Sequence, residues 1–198
     1  MMKFESVLLG LFSLLLVSCS GGDEVSQPKP SGYFRIDMPE HQYTTLDTAV
    51  LPFTFDYAEC ARCLVDRKSD TAIWVVVQYP QQNASIEMLY KPTADSAALS
   101  NLMLADKKFV EFHYQKASGV RTRDFRELGA RENVSGLFYD IDGKDVACPF
   151  HYWMTDGSHH FARATLYFNF TPNNDSVQPV IDYIREDAMR MVKSFNWR

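Results

Sequence analysis

Residues 146–170, VACPFHYWMTDGSHHFARATLYFNF, decide the fold. Apolar and polar residues alternate on both sides of a turn at 156–158, which predicts two antiparallel strands, Val146 to Met154 and His160 to Phe170. A two-residue Asp-Gly turn would set Phe150 opposite Arg163, whereas a three-residue loop pairs apolar residues throughout. The three-residue loop Asp156-Gly157-Ser158 is therefore favoured, with the pairs Thr155–His159, Tyr152–Ala162, Phe150–Ala164 and Cys148–Leu166.

The same alternation predicts strands upstream of this hairpin, and several of them are apolar on both faces. A sheet with two apolar faces needs a cover on each side. We therefore expect an α+β fold in which two helices cover a mostly antiparallel sheet of six or seven strands. The other predicted strands are residues 33–38, 52–57, 72–79, 84–90, 120–128 and 134–141.

Two amphipathic patterns predict the covering helices. The first begins at Asp95 as its N-cap, runs to about Lys116 and ends before Gly119. The second begins at Asp175, whose spacing to Gln178 resembles a capping box, and ends near residue 194. The predicted apolar stripes are Ala98, Leu102, Ala105, Phe109 and Phe112 in the first helix, and Val177, Ile181, Ile184, Ala188, Met191 and Phe195 in the second.

The N-terminus has the pattern of an export signal. Lys3 precedes an apolar run of roughly a dozen residues, which is too short to span a bilayer and is typical of a signal peptide. Leu16-Val17-Ser18-Cys19 resembles a bacterial lipobox, in which the cysteine takes the lipid; an ordinary secretory signal with a coincidental cysteine is the alternative. We expect a signal peptide (1–18), a tether lipidated at Cys19 (19–32) and one globular domain (33–198).

Composition limits the functional classes. Hydrophobic residues make up 46% of the 198 residues and charged residues 23%, which is typical of a packed globule. The formal net charge of -5 provides no dense basic surface for phosphates. Nucleic acid is therefore not an expected partner.

Cysteines and histidines are the residues that could carry chemistry. Cys60 and Cys63 form a CxxC, but no βαβ pattern places this motif at a helix N-terminus. A structural disulfide or free thiols are favoured over thiol catalysis, and Cys148 is the third thiol of the domain. The histidines near the turn of the hairpin alternate in face, which argues against one shared metal ion. We expect no catalytic residues, no metal and no cofactor.

The second half of the chain carries a series of motifs: Phe150 to Tyr152, Thr155-Asp156, His160-Phe161, Leu166 to Phe168, Pro172 to Ser176, Pro179-Val180 and Phe195 to Trp197. Their order and spacing resemble the gliding motility lipoprotein GldD family of gliding Bacteroidetes. The first half agrees in its lipobox, in Gly32 to Arg35, and in Leu89-Tyr90-Lys91-Pro92. The resemblance covers nearly the whole chain.

This resemblance implies a non-enzymatic component of the apparatus that moves adhesins over the cell surface, tied to type IX secretion. It implies a lipid-anchored protein of the cell envelope that faces the periplasm, with partners among the gliding and secretion machinery. The order of elements also resembles the PsbP/Mog1-like α/β/α sandwich, a fold analogy that favours a docking or assembly module. The motif Asn173-Asn174-Asp175-Ser176 is interpreted as a structural turn and N-cap of the last helix.

An interaction module needs a contact surface. Trp153 and Phe161 are predicted cross-strand neighbours, and they form an exposed docking surface unless the first helix covers them; burial in the core is the alternative.

Two other functions stay open. A ligand-binding lipoprotein would have a deep apolar pocket between Trp153, Phe161, Tyr167 and a helix. A thiol oxidoreductase would need Cys60 or Cys63 to be exposed with a lowered pKa.

Overall fold

The computed structural model describes residues 37–69, 71–171 and 173–198. The predicted signal peptide and tether, with Cys19, lie outside these ranges. The described chain forms two sheets and two helices. The helices are α1 (Ser96–His113) and α2 (Asn174–Ser194), and the strands are β1 (Tyr43–Leu46), β2 (Phe53–Ala58), β3 (Arg62–Ser69), β4 (Ala72–Tyr79), β5 (Ala84–Pro92), β6 (Gly119–Asp124), β7 (Ser135–Asp142), β8 (Phe150–Thr155), β9 (His160–Phe168) and β10 (Asn196–Trp197).

The larger sheet has seven strands in the order β3-β4-β5-β9-β8-β7-β6, and every neighbouring pair is antiparallel. A smaller sheet has the order β1-β2-β10. The predicted α+β class and antiparallel sheet are confirmed. The smaller sheet was not expected: β2 corresponds to the predicted strand 52–57, but β1 and β10 have only four and two residues and were not predicted.

The larger sheet carries a hydrophobic core on each face. Tyr152 packs in a cluster with residues of α2 and the small sheet, such as Ile184 and Phe53. Trp153, the next residue of β8, packs in a second cluster with Leu99 of α1. Successive residues of a strand point to opposite faces, so the two clusters lie on the two sides of the sheet. These two clusters explain why the predicted strands carry apolar residues on both faces.

The predicted register of the β8–β9 hairpin is wrong by two residues. Tyr152 lies opposite Ala164, Met154 opposite Ala162 and Thr155 opposite Phe161. The connection is the four residues 156–159 rather than three. A shift of two residues keeps every side chain on its predicted face, so apolar pairing alone could not distinguish the two registers.

The remaining differences from the predicted strands have local causes. β3 was missed because it is an edge strand with the charged sequence RCLVDRKS and a register shift between Asp66 and Ser69, so its alternation is weak. The predicted strand 33–38 lies mostly outside the described residues, and Asp37 and Met38 are not in a strand. The predicted strand 120–128 ends earlier, at Asp124.

The start of α2 differs from the predicted capping box. The N-cap position is Asn173, whose side chain makes no cap hydrogen bond, and Asp175 lies in the first turn. Asn174 is only 5% exposed and its Nδ2 donates to the carbonyl oxygens of Gly143 at 2.7 Å and Val146 at 2.9 Å. The Asn-Asn-Asp-Ser motif therefore fixes the start of α2 through a tertiary contact with the turn after β7.

Candidate functional site

A buried polar network joins α1 to the larger sheet. Nε2 of His151 on β8 lies 2.8 Å from Oδ1 of Asp106, which projects from the middle of α1. Nδ1 of the same ring lies 2.7 Å from Oγ1 of Thr165 on β9. Asp106 is 1% exposed, His151 is 0% exposed and Thr165 is 5% exposed. The network therefore lies entirely inside the protein.

The sequence pattern did not predict the buried face of α1 correctly. The residues of α1 that are buried are Leu99, Asp106 and Val110, whereas Phe112 of the predicted stripe is 73% exposed. The N-cap prediction is confirmed, since Asp95 accepts a hydrogen bond from the amide of Ala98. Aspartate is usually exposed, so the apolar periodicity left Asp106 out of the predicted stripe, although Asp106 lies on the buried face of the helix.

The order carboxylate, imidazole and hydroxyl is that of a hydrolytic triad, but the space beside the hydroxyl is small. The cleft at Thr165 has a volume of about 60 Å³ and is lined by side chains that include Trp74, Phe109 and Tyr167. This volume is far below the roughly 300 to 1,000 Å³ of pockets that bind small organic molecules. The geometry suits a polar tie between a helix and a sheet better than a reaction centre.

A second polar cluster joins α2 to the chain before β1. Asp187 of α2 is 0% exposed, and its Oδ1 lies 2.7 Å from Nδ1 of His41. Nε2 of His41 lies 3.2 Å from Glu186, and its ring stacks on Tyr183 at a centroid distance of 4.3 Å. Burial raises the pKa of Asp187, and the hydrogen bond with His41 opposes this rise without cancelling it.

A third cluster surrounds Asp140 of β7, which is 2% exposed. Its Oδ2 lies 2.7 Å from Arg123 of β6, and its Oδ1 lies 2.8 Å from Arg185 of α2. Arg121 is a more distant neighbour at 3.7 Å. No local pattern in the sequence shows that arginines from two other elements converge on Asp140.

The CxxC motif does not form a redox site of the thioredoxin type. Cys60 lies exposed in the turn after β2, Cys63 lies in β3, and Cys148 is buried; all three are free thiols. Burial raises the pKa of Cys63 to about 11 and also raises the pKa of Cys148. Neither Cys60 nor Cys63 lies at a helix N-terminus, where a helix dipole lowers the pKa of a thiol, so the fold gives no support to the thiol oxidoreductase hypothesis.

Trp153 and Phe161 do not form an exposed docking surface. They are 8% and 3% exposed and pack with Leu99 and Val110 of α1. On the observed register they are diagonal rather than direct cross-strand neighbours, with ring centroids 6.1 Å apart. The docking hypothesis for these two residues is wrong because α1 covers their face of the sheet.

The predicted deep ligand pocket between Trp153, Phe161, Tyr167 and a helix is also not formed. Trp153 and Phe161 fill that space, and Tyr167 packs against the same cluster and lines the small cleft at Thr165. Among the described residues, no three His, Cys, Asp or Glu side chains come together as metal ligands do.

The hairpin connection is held by Asp156. Its Oδ1 accepts hydrogen bonds from the backbone amides of Ser158, His159 and His160, each at 2.9 Å. Burial by itself raises the pKa of Asp156, but these hydrogen bonds together outweigh it and lower the pKa to about 2. The carboxylate thus takes the place of cross-strand backbone hydrogen bonds, which the four-residue connection 156–159 does not make.

Asp156→Ala is expected to lower the free energy of unfolding by about 1 kcal/mol at neutral pH, since the amides lose their acceptor. The folded pKa lies below the ordinary 3.8, so this stabilisation is complete above about pH 4 and is lost as the pH falls towards 2. Urea unfolding at several pH values measures it. A difference between variant and wild type that persists unchanged at pH 2 would contradict the assignment.

Comparison with known proteins gives one match. The sequence profile of the gliding motility lipoprotein GldD family matches residues 23–197. No curated protein and no solved structure matches the chain, so the PsbP/Mog1 analogy stays a prediction. Neither helix of the described residues is long and apolar enough to cross a membrane. Because the profile spans almost the whole chain, the protein belongs to the gliding motility lipoprotein GldD family.

Proposed function

We propose that this protein is a non-enzymatic module of the gliding motility apparatus, lipid-anchored at Cys19, that faces the periplasm and assembles with other proteins of the gliding and type IX secretion machinery. The family name supports a lipoprotein role in gliding. The lipobox at residues 16–19, which lies just before the matched region, supports the position of the anchor.

The observation that carries the non-enzymatic part of the proposal is the pairing of the buried carboxylates. Asp106, Asp140 and Asp187 each bind a histidine or arginine from a different element of the fold. Each of these carboxylates is at most 2% exposed and has its partner within the fold, so it ties one element to another and does not face solvent. The three buried carboxylates thus have structural roles.

The anchor is tested by Cys19→Ala. We expect the variant to keep its folded domain and to lose stable membrane attachment, because several acyl chains together give effectively permanent binding and one polypeptide surface does not. Fractionation of cells after carbonate washing, with mass spectrometry of the N-terminus, measures both attachment and processing.

Cys60→Ala is the matched control, since Cys60 is exposed and lies outside the lipobox. This control should remain in the membrane fraction. Retention of Cys19→Ala in membranes after the signal peptide has been removed would contradict anchoring at Cys19. Purification of the wild-type protein from native membranes, followed by identification of bound proteins, tests the assembly role.

A further inference from the structure

The exposed apolar side chains of the domain are unevenly distributed. Among the described residues, seven large apolar side chains are exposed, and three of them lie on α1 or directly after it. Leu104 is 51% exposed, Phe112 is 73% exposed and Tyr114 is 48% exposed. These residues do not contribute to the core, and exposed apolar side chains that gather in one segment mark a contact surface more often than scattered ones do.

They share the outer side of α1. Leu104 precedes the buried Asp106 by two positions, which on a helix of 3.6 residues per turn places it almost opposite the face that packs on the sheet. Phe112 follows Leu104 by eight positions and lies on one flank of the outer side, and Tyr114 extends it past the end of the helix. We call Leu104, Lys107, Lys108, Phe112 and Tyr114 the outer face of α1.

The charge of this segment is opposite to that of the whole chain. Lys107, Lys108 and Lys116 are exposed, and the only exposed acid between residues 104 and 116 is Glu111. Asp106, the other acid, is withdrawn from the surface by its contact with His151. Two positive charges are thus in excess on a protein whose formal net charge is -5.

We propose that the outer face of α1 lies on an anionic phospholipid surface. Single aromatic and aliphatic side chains between lysines are the pattern of helices that lie in the headgroup region, where rings insert and lysines bind lipid phosphates. This inference rests on the proposed anchor at Cys19, which keeps the domain next to the bilayer and makes a weak contact effectively intramolecular.

A lipid surface explains the face better than a protein partner does. Protein interfaces centre on contiguous apolar clusters that fit into a complementary pocket. Here the apolar side chains are separated by Lys107, Lys108 and Glu111 on a convex helix. A fluid bilayer tolerates such separation because each side chain inserts independently.

The test places a fluorescent reporter on the face. The lipidated Phe112→Trp chain is reconstituted in phosphatidylcholine vesicles with or without phosphatidylglycerol, each containing brominated lipid as a quencher. We expect quenching beyond that of the native tryptophans only in the anionic vesicles. Phe170→Trp is the matched control, because Phe170 is also exposed but follows β9 in the chain and is not part of α1.

Removal of two lysines tests the charge. In the variant with Lys107→Gln and Lys108→Gln, the ratio of lipid-bound to free domain should fall by more than about tenfold. Each lysine near an anionic surface contributes about a fivefold factor to this ratio. Lys144→Gln with Lys193→Gln removes the same charge from elsewhere and should leave the quenching unchanged.

Flotation of the same vesicles separates this inference from the proposed anchor. Wild type and all variants should float with both compositions through the lipid on Cys19, and failure to float would contradict the anchor alone. If Phe112→Trp is not quenched in anionic vesicles, the proposed lipid contact is wrong. This holds both for chains that float with the vesicles and for chains that are mixed with an excess of them. A protein bound to this face in native membranes together with absent quenching would assign the face to that protein.

Discussion

Replacing Trp153 and Phe161 together with alanine is expected to unfold the domain at ordinary temperature. Both side chains are buried between β8, β9 and α1, and their rings stack on each other. Removal of a large buried aromatic costs about 3 to 5 kcal/mol. Two such losses are comparable to the whole stability of a typical domain, about 5 to 15 kcal/mol.

Near-UV circular dichroism and urea unfolding of the single and double variants measure this effect. Because the two residues touch, the single losses need not add, and the double variant is expected to show no unfolding transition at all. Phe112→Ala is the matched control, since Phe112 is 73% exposed and its loss should cost little. A stable, fully folded double variant that no longer binds a partner would contradict the core assignment and restore the docking hypothesis.

His151→Ala is expected to lower the free energy of unfolding by about 3 to 5 kcal/mol, because it leaves the carboxylate of Asp106 buried without compensation. Oδ2 of Asp106 has no hydrogen-bond partner among the described residues, so the carboxylate depends on the single contact from Oδ1 to His151. The loss should affect α1 first, and hydrogen exchange of its amides should increase before that of the sheet.

Asp106→Leu with His151→Leu removes both partners and should recover much of the lost stability, since no carboxylate is then left buried without a partner and an apolar pair can replace a buried polar pair at little cost. His159→Ala serves as the control, because His159 is exposed in the same hairpin. If His151→Ala were no less stable than His159→Ala, the network would not hold α1 on the sheet.

The elements of the large sheet could be predicted from sequence because their signals are local. β4 has the predicted bounds, Ala72–Tyr79, because its side chains alternate regularly between the two faces and turn residues mark both of its ends. The N-cap of α1 was also predictable, because Asp95 acts within its own turn. Signals of this kind need no knowledge of what packs against the segment.

The candidate site could not be predicted in the same way. Asp106, His151 and Thr165 come from three different elements, and each residue type taken alone is more often exposed than buried. The register of the hairpin depended on Asp156, which binds amides rather than pairing across the strands. Tertiary partners decided both features, and one sequence without its fold does not show them.

The middle position of the β5–β9 pair in the seven-stranded sheet has a consequence for how the chain matures. β3, β4 and β5 follow one another in the chain, as do β6 to β9, and the two groups meet only where Ala84–Pro92 pairs with His160–Phe168. A chain that emerges N-terminus first on export therefore presents the open edge of β5 until β9 arrives. Such an edge is a template for pairing with other chains, so export must deliver the second group quickly or shield the first from aggregation.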